Sequence, residues 1–124
     1  MTELTNRRAA HDPQDLERLL IDRQHAGDVE GMVALFEPTA LVDCGEGRFL
    51  RGHPAIRQYF VEVMASGRKF ARGEQQAALI NGDLALTSTR LPDGSVTAEV
   101  ARRQSDGTWL WAIDRYTIAT EQRR

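Results

Sequence analysis

The sequence predicts an α+β domain in which three helices lead into an antiparallel meander. Apolar residues recur at helical spacing in three stretches before residue 67, and from residue 72 the period shortens to that of strands. Three dipeptides that favour hairpin turns, Asn81-Gly82, Asp93-Gly94 and Asp106-Gly107, divide the second half into strand-sized pieces.

Residues 1–12 are polar and aperiodic and are expected to form a flexible arm, leaving 13–124 as a single domain. Pro13 suits a first helical position, with Asp12 as the cap before it. Leu16, Leu19 and Leu20 then share one helical face. Gly27 ends this helix and Asp28 caps the next, whose stripe is Val29, Met32, Val33 and Phe36. Glu37-Pro38 is expected to stop it, because the residue before a proline disfavours the helical region. "ALVDC" reads as a short strand, and "GEGRFL" as a turn and a second strand. Ile56, Tyr59, Phe60, Val63 and Met64 mark a third helix, with Gly67 as its C′ residue. "EQQAALI", "DLALTSTRL", "SVTAEVARRQ" and "TWLWAIDRYTIAT" supply the remaining strands.

The 124 residues include 16 Lys and Arg against 18 Asp and Glu, a balance that gives no electrostatic reason for a nucleic-acid or anionic-membrane partner. Cys44 is the one cysteine, so no internal disulfide forms. The first residues carry no apolar core of a signal peptide, and no apolar run approaches the roughly 20 residues of a membrane span; the expected compartment is the cytoplasm. His11, His25 and His53 lack metal-ligand spacing, and no Gly-rich phosphate loop is present, so neither metal nor cofactor is expected. Arg68, Lys69 and Arg72 read as a solvated loop.

Hairpin geometry organises the polar residues. A two-residue turn at Asp106-Gly107 makes Glu99 and Asp114 direct cross-strand neighbours, with Cβ atoms about 5 Å apart. A similar turn at Asp93-Gly94 sets Ser88 opposite Glu99 and Arg90 diagonal to it. Alternation then collects Ser88, Arg90, Thr97, Glu99, Asp114 and Tyr116 on one face, and Trp109, Trp111, Ile113 and Arg115 on the other. A longer turn at either site shifts this register.

Three stretches, "AGDVEGMVALFEPTALVD", "RFLRGHPAIRQYF" and "VARRQSDGTWLWAIDRY", resemble the SnoaL-like branch of the nuclear transport factor 2-like superfamily, which includes ketosteroid isomerases. With their spacing they span nearly everything from residue 13 to 119. The resemblance implies a curved sheet wrapped around helices as a cone-shaped barrel with an apolar pocket, and a homodimer. It implies no single activity, because the family hosts isomerases, cyclases, dehydratases, epoxide hydrolases and non-catalytic modules. Glu99 falls where ketosteroid isomerases place the acid that donates to an oxyanion, and Asp114 where the epoxide hydrolases carry one of their paired aspartates. Both correspondences put the Glu99/Asp114 face inside. That leaves Trp109, Trp111 and Ile113 outside, as the expected homodimer surface. The isomerases' first-helix tyrosine aligns with Leu20 and their general base with Cys44, so their usual mechanism is disfavoured.

Two carboxylates this close in an apolar cone cannot both ionise cheaply; one keeps its proton as a donor while the other acts as a base. The candidate catalytic pair is therefore Glu99 and Asp114. Arg90, Ser88, Tyr116, Leu20, Cys44 and Tyr59 are candidate substrate contacts. Two functions stay open: cofactor-free acid–base chemistry on a small, largely apolar molecule, or a non-catalytic ligand-binding or dimerisation module, which Leu20 and Cys44 at the isomerase positions support. Whether Arg90 neutralises the acid pair is a separate open question.

Overall fold

The structure is a computed structural model and describes residues 7–119. Helices α1 (Asp15–His25) and α2 (Val29–Val33) are followed by strands β1 (Phe36–Asp43) and β2 (Phe49–Arg51) and by helix α3 (Gly52–Ser66). Strands β3 (Glu74–Gln75), β4 (Leu79–Asn81), β5 (Leu84–Thr87), β6 (Thr89–Arg90), β7 (Val96–Arg103) and β8 (Trp109–Ala119) complete the chain. The main sheet runs β2-β1-β8-β7-β5-β4, with β6 on β7 and β3 on β6. The β1–β8 pairing is parallel and the others are antiparallel. The fold is thus the expected α+β arrangement, three helices on a mixed, mainly antiparallel sheet, left open rather than closed into a barrel.

The helices begin and end largely where their caps dictate. Asp28 accepts from the Gly31 N–H (3.0 Å) as the cap of α2. Helix α1, by contrast, begins at Asp15, later than Pro13, with Gln14 as its N-cap and no side-chain capping bond. Asp12 accepts from the Gln14 N–H (2.9 Å) in the turn before it. Gly67 follows α3 in the left-handed conformation. Helix α2 is shorter than its apolar stripe suggests. It stops at Val33 because the sheet takes the chain: the Trp111 N–H donates to the Leu35 carbonyl (2.9 Å), and the Phe36 ring packs 5.0 Å from Trp111. Leu16, Met32, Phe36, Ile56, Phe60 and Trp111 form the centre of the core.

Part of the expected arm is docked. Arg7 forms a two-pronged ion pair with Asp28 (2.7 and 2.8 Å), Ala10 is buried, and the Trp109 N–H donates to the Ala10 carbonyl. Residues 1–6 of that arm lie outside the described residues.

The two decisive turns are one residue longer than expected. The Gly94 N–H donates to the Leu91 carbonyl and the Gly107 N–H to the Gln104 carbonyl (both 2.9 Å), with φ of 89° and 87° at the two glycines. Each is a three-residue loop whose glycine takes the left-handed position. The residue after each glycine explains the choice. Asp93 accepts from the Ser95 N–H and hydroxyl (2.9 and 2.6 Å), and Asp106 from the Thr108 N–H and hydroxyl (2.9 and 2.6 Å), which ties each aspartate forward across its glycine.

The longer loop pairs Arg103 with Trp109 and Ala101 with Trp111. A bulge at Ala112 then restores the original count, so Val100 faces Ile113 and Glu99 faces Asp114. The expected acid pair therefore forms, by a different route. The tryptophans change sides: Trp109 and Trp111 are 5% and 2% exposed and belong to the core, which overturns their assignment to an outer dimer surface. Ile113 stays outside at 51% exposed. Among the described residues, no helix is long and apolar enough to cross a membrane.

Candidate functional site

A cavity of about 380 Å³ opens between α1, α3, β7 and β8. Glu99 and Asp114 reach it from neighbouring strands, and Leu20 from α1, Cys44 after β1, Tyr59 from α3 and Tyr116 from β8 form much of its wall. Six of the eight residues expected at the site are thus brought together. The Tyr59 and Tyr116 rings pack 5.9 Å apart, giving the wall an aromatic surface with two hydroxyls.

Ser88 and Arg90 do not join them. The loop at Asp93-Gly94 moves the register by one, so Thr87 rather than Ser88 faces Glu99. The Ser88 hydroxyl instead donates to the Thr97 carbonyl (2.8 Å). Arg90 falls on the opposite face and is exposed. It is part of no ion pair among the described residues, so it does not quench the acids.

The cavity holds a third acid. Glu17 of α1 lies three residues before Leu20, one helical turn back on the same face, and borders the same space as Glu99 and Asp114. Glu17 stands at the margin of the leucine face, where the sequence pattern alone does not distinguish it from a solvated acid. The mouth carries Arg68, Lys69 and Phe70, so two of the three cations expected to form a solvated loop border the cavity. Buried Gln24 fixes this loop: its Nε2 donates to the Arg68 carbonyl (2.7 Å), and its Oε1 accepts from the Phe70 N–H (3.0 Å). Arg68 lies over the Phe70 ring, 5.3 Å from its centroid.

The acids share a low-dielectric setting but differ in their neighbours. Burial holds the Asp114 carboxyl well above the usual carboxylate range, and the charges of Glu99 and Glu17 push it further. Burial raises Glu99 too, but the Thr97 and Thr87 hydroxyls draw it back; Thr87 Oγ1 donates to Glu99 Oε1 at 2.7 Å. Glu17 is pushed up to about 7, chiefly by burial and then by the Glu99 charge. Burial and the neighbouring charges thus favour the neutral form of Asp114, while two threonine hydroxyls favour the charged form of Glu99. Burial raises the Cys44 thiol, which keeps it protonated and a poor nucleophile. Among the described residues, no cluster of three His, Cys, Asp or Glu side chains has the geometry to hold a metal ion.

Comparison with solved structures gives the architecture its name. A putative calcium/calmodulin-dependent protein kinase type II association domain from Thiobacillus denitrificans superposes with a TM-score of 0.74 at 13% identity, over 87% of this chain and 95% of that one. A putative dehydratase from the NTF2-like family of Streptomyces avermitilis gives 0.65 at 16% identity, over 84% and 93%. The chain has the nuclear transport factor 2-like fold. A domain of unknown function with a cystatin-like fold from Nostoc punctiforme superposes with a TM-score of 0.67 at 24% identity, over 86% of this chain and 75% of that one. No protein-family model matches the chain, and no curated protein sequence does.

The acid cluster sets a pH dependence of stability. Glu17 holds its proton in the folded chain up to about pH 7, whereas in the unfolded chain it releases it near its ordinary value of 4.5. The folded state therefore binds more protons across that window, and stability falls as pH rises through it. Glu99 and Asp114 act in the same direction. Asp28, lowered chiefly by its Arg7 hydrogen bond, contributes in the opposite sense, but its contribution is complete by pH 5. Urea unfolding is expected to show a loss of about 2 kcal/mol between pH 5 and 8, reduced in Glu17→Gln. A flat or rising curve over that range contradicts the assignment.

Proposed function

We propose that this NTF2-like chain binds a small, largely apolar organic molecule in its cone and performs cofactor-free acid–base chemistry on it, of the isomerisation, dehydration, hydration or cyclisation type. The observation that carries this reading is the convergence of Glu99, Asp114 and Glu17 in a cavity walled by Leu20, Tyr59 and Tyr116, with Arg90 turned away. Glu99, supported by the Thr87 hydroxyl, takes a proton from the bound molecule, and Asp114 donates a hydrogen bond to the oxygen on which charge develops. The Arg68 and Lys69 side chains at the mouth favour a ligand with a polar or anionic end directed towards solvent. The alternative is a non-catalytic ligand-binding module. Leu20 and Cys44 support it, because they stand where the resemblance to ketosteroid isomerases calls for a hydroxyl and a carboxylate.

Extraction and mass spectrometry of molecules that co-purify with the chain define the ligand class to screen. With a turned-over compound in hand, Glu99→Gln and Asp114→Asn are each expected to lower kcat by about 10²–10⁴-fold while leaving the fold intact. Wild-type rates in both variants overturn the catalytic reading, and binding without turnover in the wild type establishes the module.

We also propose a second copy of the chain as partner, seated on the outer sheet face. Of the residues first expected there only Ile113 remains, joined by Leu86, Val100 and Ile118 around a groove on that face. Leu86, Ile113 and Ile118 are each about half exposed, an apolar surface of the kind that association buries. Ile113→Glu is expected to halve the mass measured by light scattering. An unchanged mass contradicts this interface.

A further inference from the structure

Beside Glu99, Gln14 just before α1 meets residues 75–76 at the end of β3 along a narrow seam. Two hydrogen bonds close it: Gln14 Nε2 donates to the Gln76 carbonyl (2.8 Å), and Gln75 Nε2 donates to the Gln14 carbonyl (3.0 Å). Inside the seam lies a second, much smaller cavity of about 10 Å³, bordered by Glu17, Glu99, Thr87 and Trp111. That is close to the least space that accommodates one water molecule.

Trp111 supplies an independent observation. Its indole Nε1 is fully buried and has no hydrogen-bond acceptor among the described residues. Leaving such a donor unsatisfied is costly, so a buried N–H of this kind calls for a partner. Glu17 shows the complementary lack: no hydrogen bond to its carboxyl occurs among the described residues, while Glu99 Oε1 is engaged by Thr87. A water in the small cavity needs two to four polar partners, and the Trp111 N–H with the carboxyl oxygens of Glu17 and Glu99 supplies them.

We propose that this cavity is a binding site for a single water, which accepts from Trp111 Nε1–H and from the protonated Glu17 carboxyl, donates to the Glu99 carboxylate and relays protons between Glu17 and Glu99. In the relay, the Glu17 carboxylic acid passes its proton to the water oxygen as the water passes one of its own to the Glu99 carboxylate. Glu17 ends ionised, Glu99 ends protonated and the water is unchanged. Glu17 then acts as a positioning and proton-storing residue behind the pair. The titratable groups facing it are Glu99 on β7 and Asp114 on β8, with Tyr116 beyond Asp114. The role in turnover rests on the acid–base reading above, but the water site does not, and its test needs no ligand.

The test uses the full chain labelled with ¹⁵N-indole, with the Trp111 resonance assigned by its loss in Trp111→Phe. The Trp111 Hε1 shift is expected to titrate with a midpoint close to that of Glu17, about 7, and Glu17→Gln is expected to abolish that titration. A crystal structure of the unsubstituted chain is expected to show one density peak within about 3.2 Å of Nε1. A shift that is flat from pH 5 to 9, a titration that survives Glu17→Gln, or an Nε1 that donates directly to a protein oxygen overturns the proposal. If Glu17→Gln does not fold, the titration and the density of the unsubstituted chain decide it. Failure here leaves the Glu99 and Asp114 turnover experiments unaffected, so the two readings fall separately.

Discussion

One extra residue in β8, Ala112, determines which side chains the cone contains. Without it, the register set by the loop before Trp109 would persist along the β7–β8 hairpin, and either the tryptophans or the acids would face outward. With it, the half of β8 near the turn sends Trp109 and Trp111 into the core, and the distal half sends Asp114 and Tyr116 into the cavity. Hydrophobic packing and the polar floor of the site thus come from one strand. The bulge also lets Trp111 close the end of the core against Phe36, where α2 gives way to β1.

The site is built by burial without a compensating cation. Among the cations near it, Arg68 and Lys69 sit at the mouth on a loop that buried Gln24 fixes from α1, and Arg48 lies 5.4 Å from the centroid of the Tyr59 ring. Deeper in, the carboxyls of Glu17, Glu99 and Asp114 border one space, and a threonine hydroxyl donates to Glu99. Such carboxyls minimise their cost by keeping protons, which is the condition under which a carboxylic acid donates hydrogen bonds at neutral pH. The difference between Glu99 and Asp114 comes from Thr87 and Thr97, whose hydroxyls favour the charged form of Glu99 alone. Ordinary strand alternation on β5 and β7 delivers both threonines to this face.

Much of this was legible in the sequence, for reasons that can be named. Helical periods and caps locate α1 and α3, and the pairing of Glu99 with Asp114 follows from counting away from Asp106-Gly107. That count reached the right partner because two deviations cancel: the loop is one residue longer, and the bulge adds one residue back. The same lengthening at Asp93-Gly94 has no compensating bulge before β5, so Ser88 and Arg90 were misplaced. Ser95 and Thr108 were the readable clue, since each hydroxyl binds the aspartate across the glycine and favours the three-residue loop. The bulge at Ala112 had no local signature. It is imposed by the core, which gains two buried indoles only if the strand shifts. Glu17 is not legible for a simpler reason: an acid at the margin of a leucine face reads as solvated until the sheet packs against it.

The register of the β7–β8 hairpin is the claim on which the site depends, and cross-strand nuclear Overhauser contacts in the labelled chain test it directly. The account predicts contacts pairing Ala101 with Trp111 and Glu99 with Asp114 in the same spectrum, which requires Ala112 to be unpaired between them. Contacts pairing Ala101 with Ala112 would show an unbulged two-residue turn, return the tryptophans to the outer face and contradict the account.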